Sequence, residues 1–340
     1  MKKILCIGDS NTYGYDPRSM FGGRYPENVR WTGLLKAGGY DVLNCGQNGM
    51  CIPEHTCVES LLRKETGIGL ITVMLGSNDI LNGVSAETAG RRMADFIRRI
   101  QAVCPESDVI LISPVPFHFG EWVSSAEEIE ASEQLSAVYR KTAEECGVCS
   151  ADAGAWNVTL SYDGVHYLPE GHQAFADGLR KTLEEIERTK KLEVLKAIAK
   201  PFNEAGIVWA LGASMMLYFR GMLEDFHDID LMVKDADAQM AMRILDELGS
   251  RTDYSKERFK TKHFVKYLIQ DIEADLIGGF VIVNSGKEYD CDLREDEIDE
   301  YYELDGIRIP LQKVSCWRQY YEWMGRRERV RLIEETEGKQ

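Results

Sequence analysis

The residues best able to do chemistry begin almost at the start of the chain, in LCIGDSNTYGYD (5–16), where a short apolar run meets Gly8, Asp9, Ser10 and Asn11. A serine so placed can cap a helix, hold a phosphate or attack a carbonyl. Acyl transfer needs a nucleophilic hydroxyl, an imidazole base, a carboxylate to orient that base, and donors for the developing oxyanion. The chain offers each type in four short pieces: GDSN (8–11), NCGQNG (44–49), GSND (76–79) and DGVH (163–166). Ser10 supplies the hydroxyl. His166 is the candidate base, and Asp163 lies three residues before it, close enough to accept from its Nδ1. Asn78 offers a side-chain amide, and the backbone N–H groups of Ser10 and Gly49 complete a candidate oxyanion hole, glycine allowing close approach to the main chain. Each piece alone has an ordinary reading. Ser10 reads as a helix N-cap, Asn48-Gly49 as a turn, GSND as another turn and DGVH as a surface loop. Their joint occurrence in this order is what points to a site.

A second constellation lies in WALGASMMLYFRGMLEDFHDIDLMV (209–233). Asp228 and Asp230 alternate with Ile229 and Leu231, so the period of a strand puts both carboxylates on one face, at a spacing suited to a divalent cation. Gly212-Ala213-Ser214 precedes them where a strand is expected to give way to a helix, and small residues there leave amides for a phosphate. Asp275, in IEADLIGG (272–279), stands on a later strand within reach of the same metal. With 56 acidic residues in the chain, the Asp228–Asp230 pair alone reads as a solvated face. The full arrangement points to a metal and phosphate site.

Other candidates are simpler. Tyr13, Tyr15 and Trp31 read equally as acyl-pocket walls or as core. His118 reads as a packed loop histidine and His172 as helical surface, and His55 carries no reading. Arg326, Arg327, Arg329 and Arg331 read as a solvated helical face, with phosphate contacts as the alternative.

These residues need elements to position them. KILCIG (3–8), YDVLNCG (40–46), GLITVMLG (69–76) and DVILISPVP (108–116) read as buried strands. Between them, RRMADFIRRIQAVC (91–104) places Met93, Phe96, Ile97 and Ile100 on one helical stripe. Continuous apolar strands alternating with helices indicate a parallel sheet covered on both faces, and ligands in such sheets bind beyond the carboxyl ends of the strands. This unit closes with a helix from about Pro169 to Arg188. A charged stretch and a helix broken near Pro201 follow, which places a domain boundary near residue 190. The second unit reads as a strand at 206–212, a helix at 213–222, a strand at 229–233, a helix at 236–248, strands near 264–283 and 306–310, and a terminal arginine-rich helix.

The 340 residues suffice for two domains, each with its own core. A net charge of −16 argues against nucleic acid or an anionic membrane as partner. The nine cysteines are scattered and odd in number, and no pair has a matching partner at zinc-site spacing. Cys146 and Cys149 have redox-motif spacing but read as reduced thiols of a cytoplasmic protein. No stretch approaches a membrane span.

With its four blocks in order, the chain over residues 1–188 resembles the SGNH (GDSL-like) hydrolases. The resemblance implies a flavodoxin-like three-layer α/β/α fold with a parallel sheet. It makes Ser10 the nucleophile, Asp163 and His166 the acid and base, and Ser10, Gly49 and Asn78 the oxyanion donors. Gly49 rather than Gly46 takes that part when NCGQNG is aligned from its leading asparagine. RYPENVRWTGLL (24–35) is similar to the arylesterase and acyltransferase branch. Asn11 departs from the commoner leucine or isoleucine, and it is expected to affect the pocket rather than the chemistry. Residues 192–335 are similar to the nucleotidyltransferase superfamily, closest to its aminoglycoside-nucleotidyltransferase-like members. That implies a smaller α+β domain in which Gly212 and Ser214 hold nucleotide phosphates and Asp228, Asp230 and Asp275 bind Mg²⁺. The expectation is a serine esterase (1–190) acting on small, short-chain acyl or acetyl esters without a cofactor. It is fused to a nucleotidyltransferase-like domain (191–340) using Mg²⁺ and ATP or another NTP. The alternatives make nucleotidyl transfer to a small hydroxylated molecule the principal activity, or make the second domain a noncatalytic nucleotide-binding or interaction module. Oligomeric state is not readable.

Overall fold

The computed structural model describes residues 3–19, 22–252 and 260–338. The chain divides into two compact units, Met1–Glu184 and Glu185–Gln340.

The first unit is built on β1 (Lys3–Gly8), α1 (Ser10–Tyr13), α2 (Trp31–Ala37), β2 (Asp41–Gly46), α3 (Cys57–Leu62), β3 (Ile68–Met74), α4 (Ser77–Leu81), α5 (Ala86–Val103), β4 (Asp108–Ser113), α6 (Ala126–Cys146), β5 (Cys149–Asp152) and α7 (Pro169–Glu204). The strands pair in the order β2-β1-β3-β4-β5, every pair parallel. This is the doubly wound order in which the connections reverse direction on either side of β1, opening a crevice at the strands' carboxyl ends. The apolar runs form as the sequence predicts because both sheet faces are covered: Leu5, Ile71, Val73, Leu111 and Ile112 are all buried. The stripe of α5 is buried as a set, Met93, Phe96, Ile97 and Ile100 each being 0% exposed, and removing each of these side chains from water contributes roughly 1.5–3 kcal/mol. β5 was not expected. Its four residues, CSAD, are exposed or half-buried on the sheet edge, so no apolar run announces it.

The predicted break at Pro201 does not occur, and the helix runs from Pro169 to Glu204 with Pro201 inside it. A proline this near the C-terminus loses one N–H bond in the last turn but keeps a helical φ, and Ala205 N–H still reaches its carbonyl at 3.0 Å. The charged stretch after residue 187 is therefore helical surface, and the division at Glu184–Glu185 falls within α7.

The second unit adds β6 (Trp209–Leu211), α8 (Ala213–Phe219), β7 (Ile229–Val233), α9 (Ala238–Leu248), β8 (Ser250–Arg251), β9 (His263–Ile269), β10 (Ile272–Gly278), β11 (Val281–Asn284), β12 (Lys287–Asp290), β13 (Ile298–Leu304), β14 (Ile307–Gln312), α10 (Val314–Trp323) and α11 (Arg327–Glu337). Its sheet is mixed, in the order β13-β14-β6-β7-β10-β9-β8, with β11 and β12 a separate hairpin. β13 was missed because IDEYYEL is exposed along most of its length. An edge strand carrying three acids does not need the alternation a buried strand shows.

Candidate active site

β1 ends at Gly8 and the chain turns directly into α1. Asp9 caps this helix, its carboxylate accepting the Asn11 N–H at 2.9 Å. The cap reading of Ser10 therefore falls to its neighbour, and the Ser10 hydroxyl is left for other work. The loop after β2 packs on the same turn. Asn44 donates to the Thr12 carbonyl at 2.6 Å and to Thr32 at 2.8 Å, and accepts from the Gly46 N–H at 2.9 Å. Gly49 follows with φ +71, a conformation that favours glycine.

DGVH lies in the loop before α7. Gly120 allows a second loop to pack on it: a Cβ there would lie 2.3 Å from the Asp163 carbonyl carbon. Trp122 N–H donates to the Asp163 carbonyl at 3.0 Å and His118 N–H to that of Gly164 at 3.2 Å. These contacts bring three distant side chains into one line. The Ser10 Oγ is 2.9 Å from His166 Nε2, and His166 Nδ1 is 2.8 Å from Asp163 Oδ2. All three are buried. With a carboxylate at Nδ1 the ring proton belongs there, leaving Nε2 to accept from the hydroxyl. Asp163 Oδ1 also accepts the N–H groups of Val165 and His166, each at 2.9 Å. Burial alone would raise this carboxyl, but His166 and the two backbone donors outweigh it and hold the group below the usual carboxylate range. Asp9 beneath the turn is pushed up to about 6, by burial against the opposing pull of the Asn11 N–H and of His166.

Asn78 sits in the first turn of α4 and donates to the Met50 carbonyl at 3.1 Å, so its amide spans the Gly49 loop. Beside it Asp79, wholly buried, accepts the Ile52 N–H at 2.9 Å and pairs with Arg92 at 3.2 Å. Asp79 ties the same loop from the other side. Its only sequence signal was its place next to Asn78. Trp122 was also missed: its ring meets His166 edge-on at 4.7 Å, and Tyr15 packs on an adjacent side of the imidazole at 4.6 Å. The available signal was an aromatic in a loop beyond the carboxyl end of a strand.

The other expectations divide. Tyr15 reaches the site, Trp31 is core, donating from its indole to the Asn11 carbonyl at 3.1 Å, and half-buried Tyr13 lies under Arg24. His118 is exposed rather than packed. His172 is a correction: it is 0% exposed, not helical surface, and is held edge-on between Tyr25 and Tyr167 at 5.4 Å each. Asn11 is also a correction, being buried and turned toward Val165 and Tyr167.

In the second unit, Asp230 and Asp275 are register partners on the parallel strands β7 and β10. Asp230 is half-buried and is pushed up to about 7, by burial first and then by Asp275 and Asp228. Asp275, also raised by burial, meets the Lys266 ammonium at 3.4 Å. The sequence-predicted acids thus gather, but with a lysine among them. Among the described residues no group of three or more His, Cys, Asp or Glu side chains is arranged to hold a metal ion. Gly212 packs closely, its Cβ position lying 2.3 Å from the Trp317 ring, and Ser214 accepts the His227 N–H at 3.4 Å. Ala213 has φ +45, unusual for a residue with a side chain.

Residues 6–174 match the model of the GDSL-like Lipase/Acylhydrolase family. The N-terminal part of the chain belongs to that family, and the protein is a GDSL/SGNH-type hydrolase of ester bonds. Among solved structures, a protein of Agrobacterium tumefaciens str. C58, provisionally named an arylesterase, is 29% identical. The alignment covers 55% of this chain and 100% of that one at a TM-score of 0.50. The inhibitor-bound aryl esterase of M. smegmatis is 21% identical over 54% of this chain and 99% of its own, with a TM-score of 0.50. Est24, a carbohydrate acetylesterase from Sinorhizobium meliloti, is 22% identical over 55% of this chain and 100% of its own, with a TM-score of 0.49. No curated protein matches the chain. No helix among the described residues is long and apolar enough to cross a membrane.

Proposed function

We propose that the first unit is a serine esterase acting on small esters with a short acyl group, acetyl above all. The observation that carries this is the unbroken line from Ser10 Oγ through His166 to Asp163, at 2.9 and 2.8 Å. His166 Nε2 takes the hydroxyl proton as Ser10 Oγ attacks the ester carbonyl. The negative charge passes to the carbonyl oxygen, held by the Ser10 and Gly49 amides and the Asn78 side chain. Asp163 stabilises the imidazolium and fixes its orientation. Collapse breaks the ester C–O bond, and His166 returns the proton to the leaving alkoxide. Water then attacks the acyl-enzyme, losing its proton to His166, and the acid departs as Ser10 recovers its proton. The likeness to the Agrobacterium protein makes an aryl acetate a suitable first substrate. Ser10→Ala is expected to abolish p-nitrophenyl acetate hydrolysis. Activity surviving undiminished would sink the assignment.

For the second unit the proposal is limited to nucleotide binding in the manner of the nucleotidyltransferase resemblance. What supports it is the gathering of Asp228, Asp230 and Asp275 at neighbouring strands. As placed, with Lys266 on Asp275, these side chains do not form a coordination set, and no transfer step is derived from them. Titration of the full chain with Mg·ATP tests the reading. It fails if no binding is seen, or if Asp228→Ala with Asp230→Ala leaves binding unchanged.

A further inference from the structure

Asn11 follows the nucleophile directly, and it does not face a pocket. Its side chain is buried, with Oδ1 accepting the Tyr167 N–H at 3.0 Å and Nδ2 donating to the Val165 carbonyl at 3.1 Å. Val165 and Tyr167 are the two neighbours of His166 in the chain. The main chain of Asn11 is held as firmly, its N–H on Asp9 Oδ1 at 2.9 Å and its carbonyl on the Trp31 indole at 3.1 Å.

We propose that Asn11 is a positioning residue for the base, its side-chain amide gripping the peptide units on both sides of His166 and so setting the Ser10 to His166 separation. The proposal rests on the reading of Ser10 and His166 as nucleophile and base. The other hydrogen bonds holding the His166 backbone are local to its own loop: Asp163 Oδ1 takes the Val165 and His166 N–H groups, and Ser161 N–H reaches the His166 carbonyl at 2.7 Å. Elsewhere on the loop, Trp122 N–H on the Asp163 carbonyl, His118 N–H on the Gly164 carbonyl and Tyr162 Oη on the Pro17 carbonyl also anchor it, but none of these grips the peptide units beside His166 from the helix that carries Ser10. Among the described residues, the hydrogen bonds that cross from α1 to this loop are the two from Asn11 and the Ser10–His166 bond itself. A leucine at position 11 has no directional hold and leaves a buried N–H and a buried carbonyl without these partners. Proton transfer at 2.9 Å tolerates little displacement, since an error of about 1 Å in a reacting group costs on the order of a hundredfold in rate.

The test compares Asn11→Leu and Asn11→Asp with the wild-type full chain in p-nitrophenyl acetate hydrolysis. Rates are normalised to folded protein by near-ultraviolet circular dichroism and a thermal melt, and Ser10→Ala and His166→Ala serve as controls. For Asn11→Leu, kcat is expected to fall about a hundredfold while KM moves by less than about threefold. Asn11→Asp keeps the acceptor for Tyr167 but loses the donor to Val165, and is expected to fall between Asn11→Leu and the wild type. Labelling of Ser10 by a fluorophosphonate, which needs the same activated hydroxyl, is expected to slow in parallel. A folded Asn11→Leu with unchanged kcat overturns the proposal, as does a loss carried by KM alone or fully explained by unfolded protein. If Asn11→Leu does not fold, Asn11→Asp is judged by the same criteria. Activity retained in both controls overturns the esterase reading, and the proposal with it.

Discussion

Asp163 and Asp230 are the same side chain in opposite circumstances. Asp163 is buried among donors, and three hydrogen bonds from His166 and Val165 hold it charged despite its burial. Asp230 is enclosed beside Asp275 and Asp228, and burial together with those like charges pushes it up to about 7. The first carboxylate is finished within the fold, because the protein supplies everything its charge requires. The second is held against its own preference, with Arg326 and then Lys266, which sits on its neighbour Asp275, as partial compensation. A completed acid performs internal work, such as orienting a base.

Replacing the carboxylate by an amide at each place separates the two cases. Asp163→Asn is expected to give the largest effect, on the order of 10⁴-fold in kcat, since the amide favours the imidazole tautomer that cannot accept from Ser10. Measured kcat for p-nitrophenyl acetate checks this, and a loss under tenfold would put another group in the orienting role. Next comes Asn78→Ala, where an oxyanion donor is removed. A loss of about 10²- to 10³-fold in kcat with little change in KM is expected, and a change carried by KM instead would make Asn78 a ground-state contact.

The legibility of the two regions differs for a related reason. The first site was readable because Ser10, Gly49 and Asn78 follow strands announced by apolar runs, and because its four pieces are local, although no such run precedes Asp163 and His166. What the sequence hid were contacts closed in three dimensions. Asn11 was aimed at the pocket because nothing in GDSN says that Val165 and Tyr167 would come to meet it. His172 was placed on the surface because a histidine among polar helical residues looks solvated, while its actual neighbours, Tyr25 and Tyr167, are remote or on the far side of a turn. In the second unit the Asp228–Asp230 pair was legible from strand period, although the register of Asp230 with Asp275 follows from the pairing of β7 with β10. Lys266 opposite Asp275 was not, because that pairing depends on where the β9–β10 hairpin turns.

His172 carries the comparison into the first unit, since His166 has a partner at each ring nitrogen and His172 has none among the described residues. Burial first, and then Arg30, lower its pKa to about 3. The unfolded chain takes up a proton as pH falls below 6.5, while the folded chain resists until about 3. The stability tied to neutral His172 is therefore complete above pH 6.5 and is lost progressively as pH falls toward 3. Between pH 7.5 and pH 5 that loss is about 2 kcal/mol. His172→Phe keeps the ring packing and removes the titration, so its denaturation midpoint is expected to fall less over this interval than that of the wild type. Parallel pH dependence in the two proteins would mean that water or a proton reaches the ring in the folded state.

The smallest effect is expected where the sign reverses. Asp230 has a folded pKa near 7, above its ordinary 3.8. The folded chain thus binds the proton more tightly than the unfolded one, and stability declines as pH rises from about 4 through 7. Asp230→Asn carries no charge to repel Asp275 and Asp228, so it is expected to be more stable than the wild type at pH 8. The gain is on the order of 1 kcal/mol, less than the full shift implies because the side chain keeps some solvent contact. It is expected to shrink as pH falls through 7 and to vanish near pH 4, which denaturation at three pH values reads directly. The same variant is expected to lose whatever thermal stabilisation Mg·ATP gives the wild type, because ligand stabilisation scales with affinity and the substitution removes a repelling charge that a cation would use. A variant gaining stability while losing the ligand response marks Asp230 as strained for binding. A variant less stable at pH 8 than the wild type would show that Arg326 and Lys266 already balance the cluster, and would leave the two carboxylates alike after all.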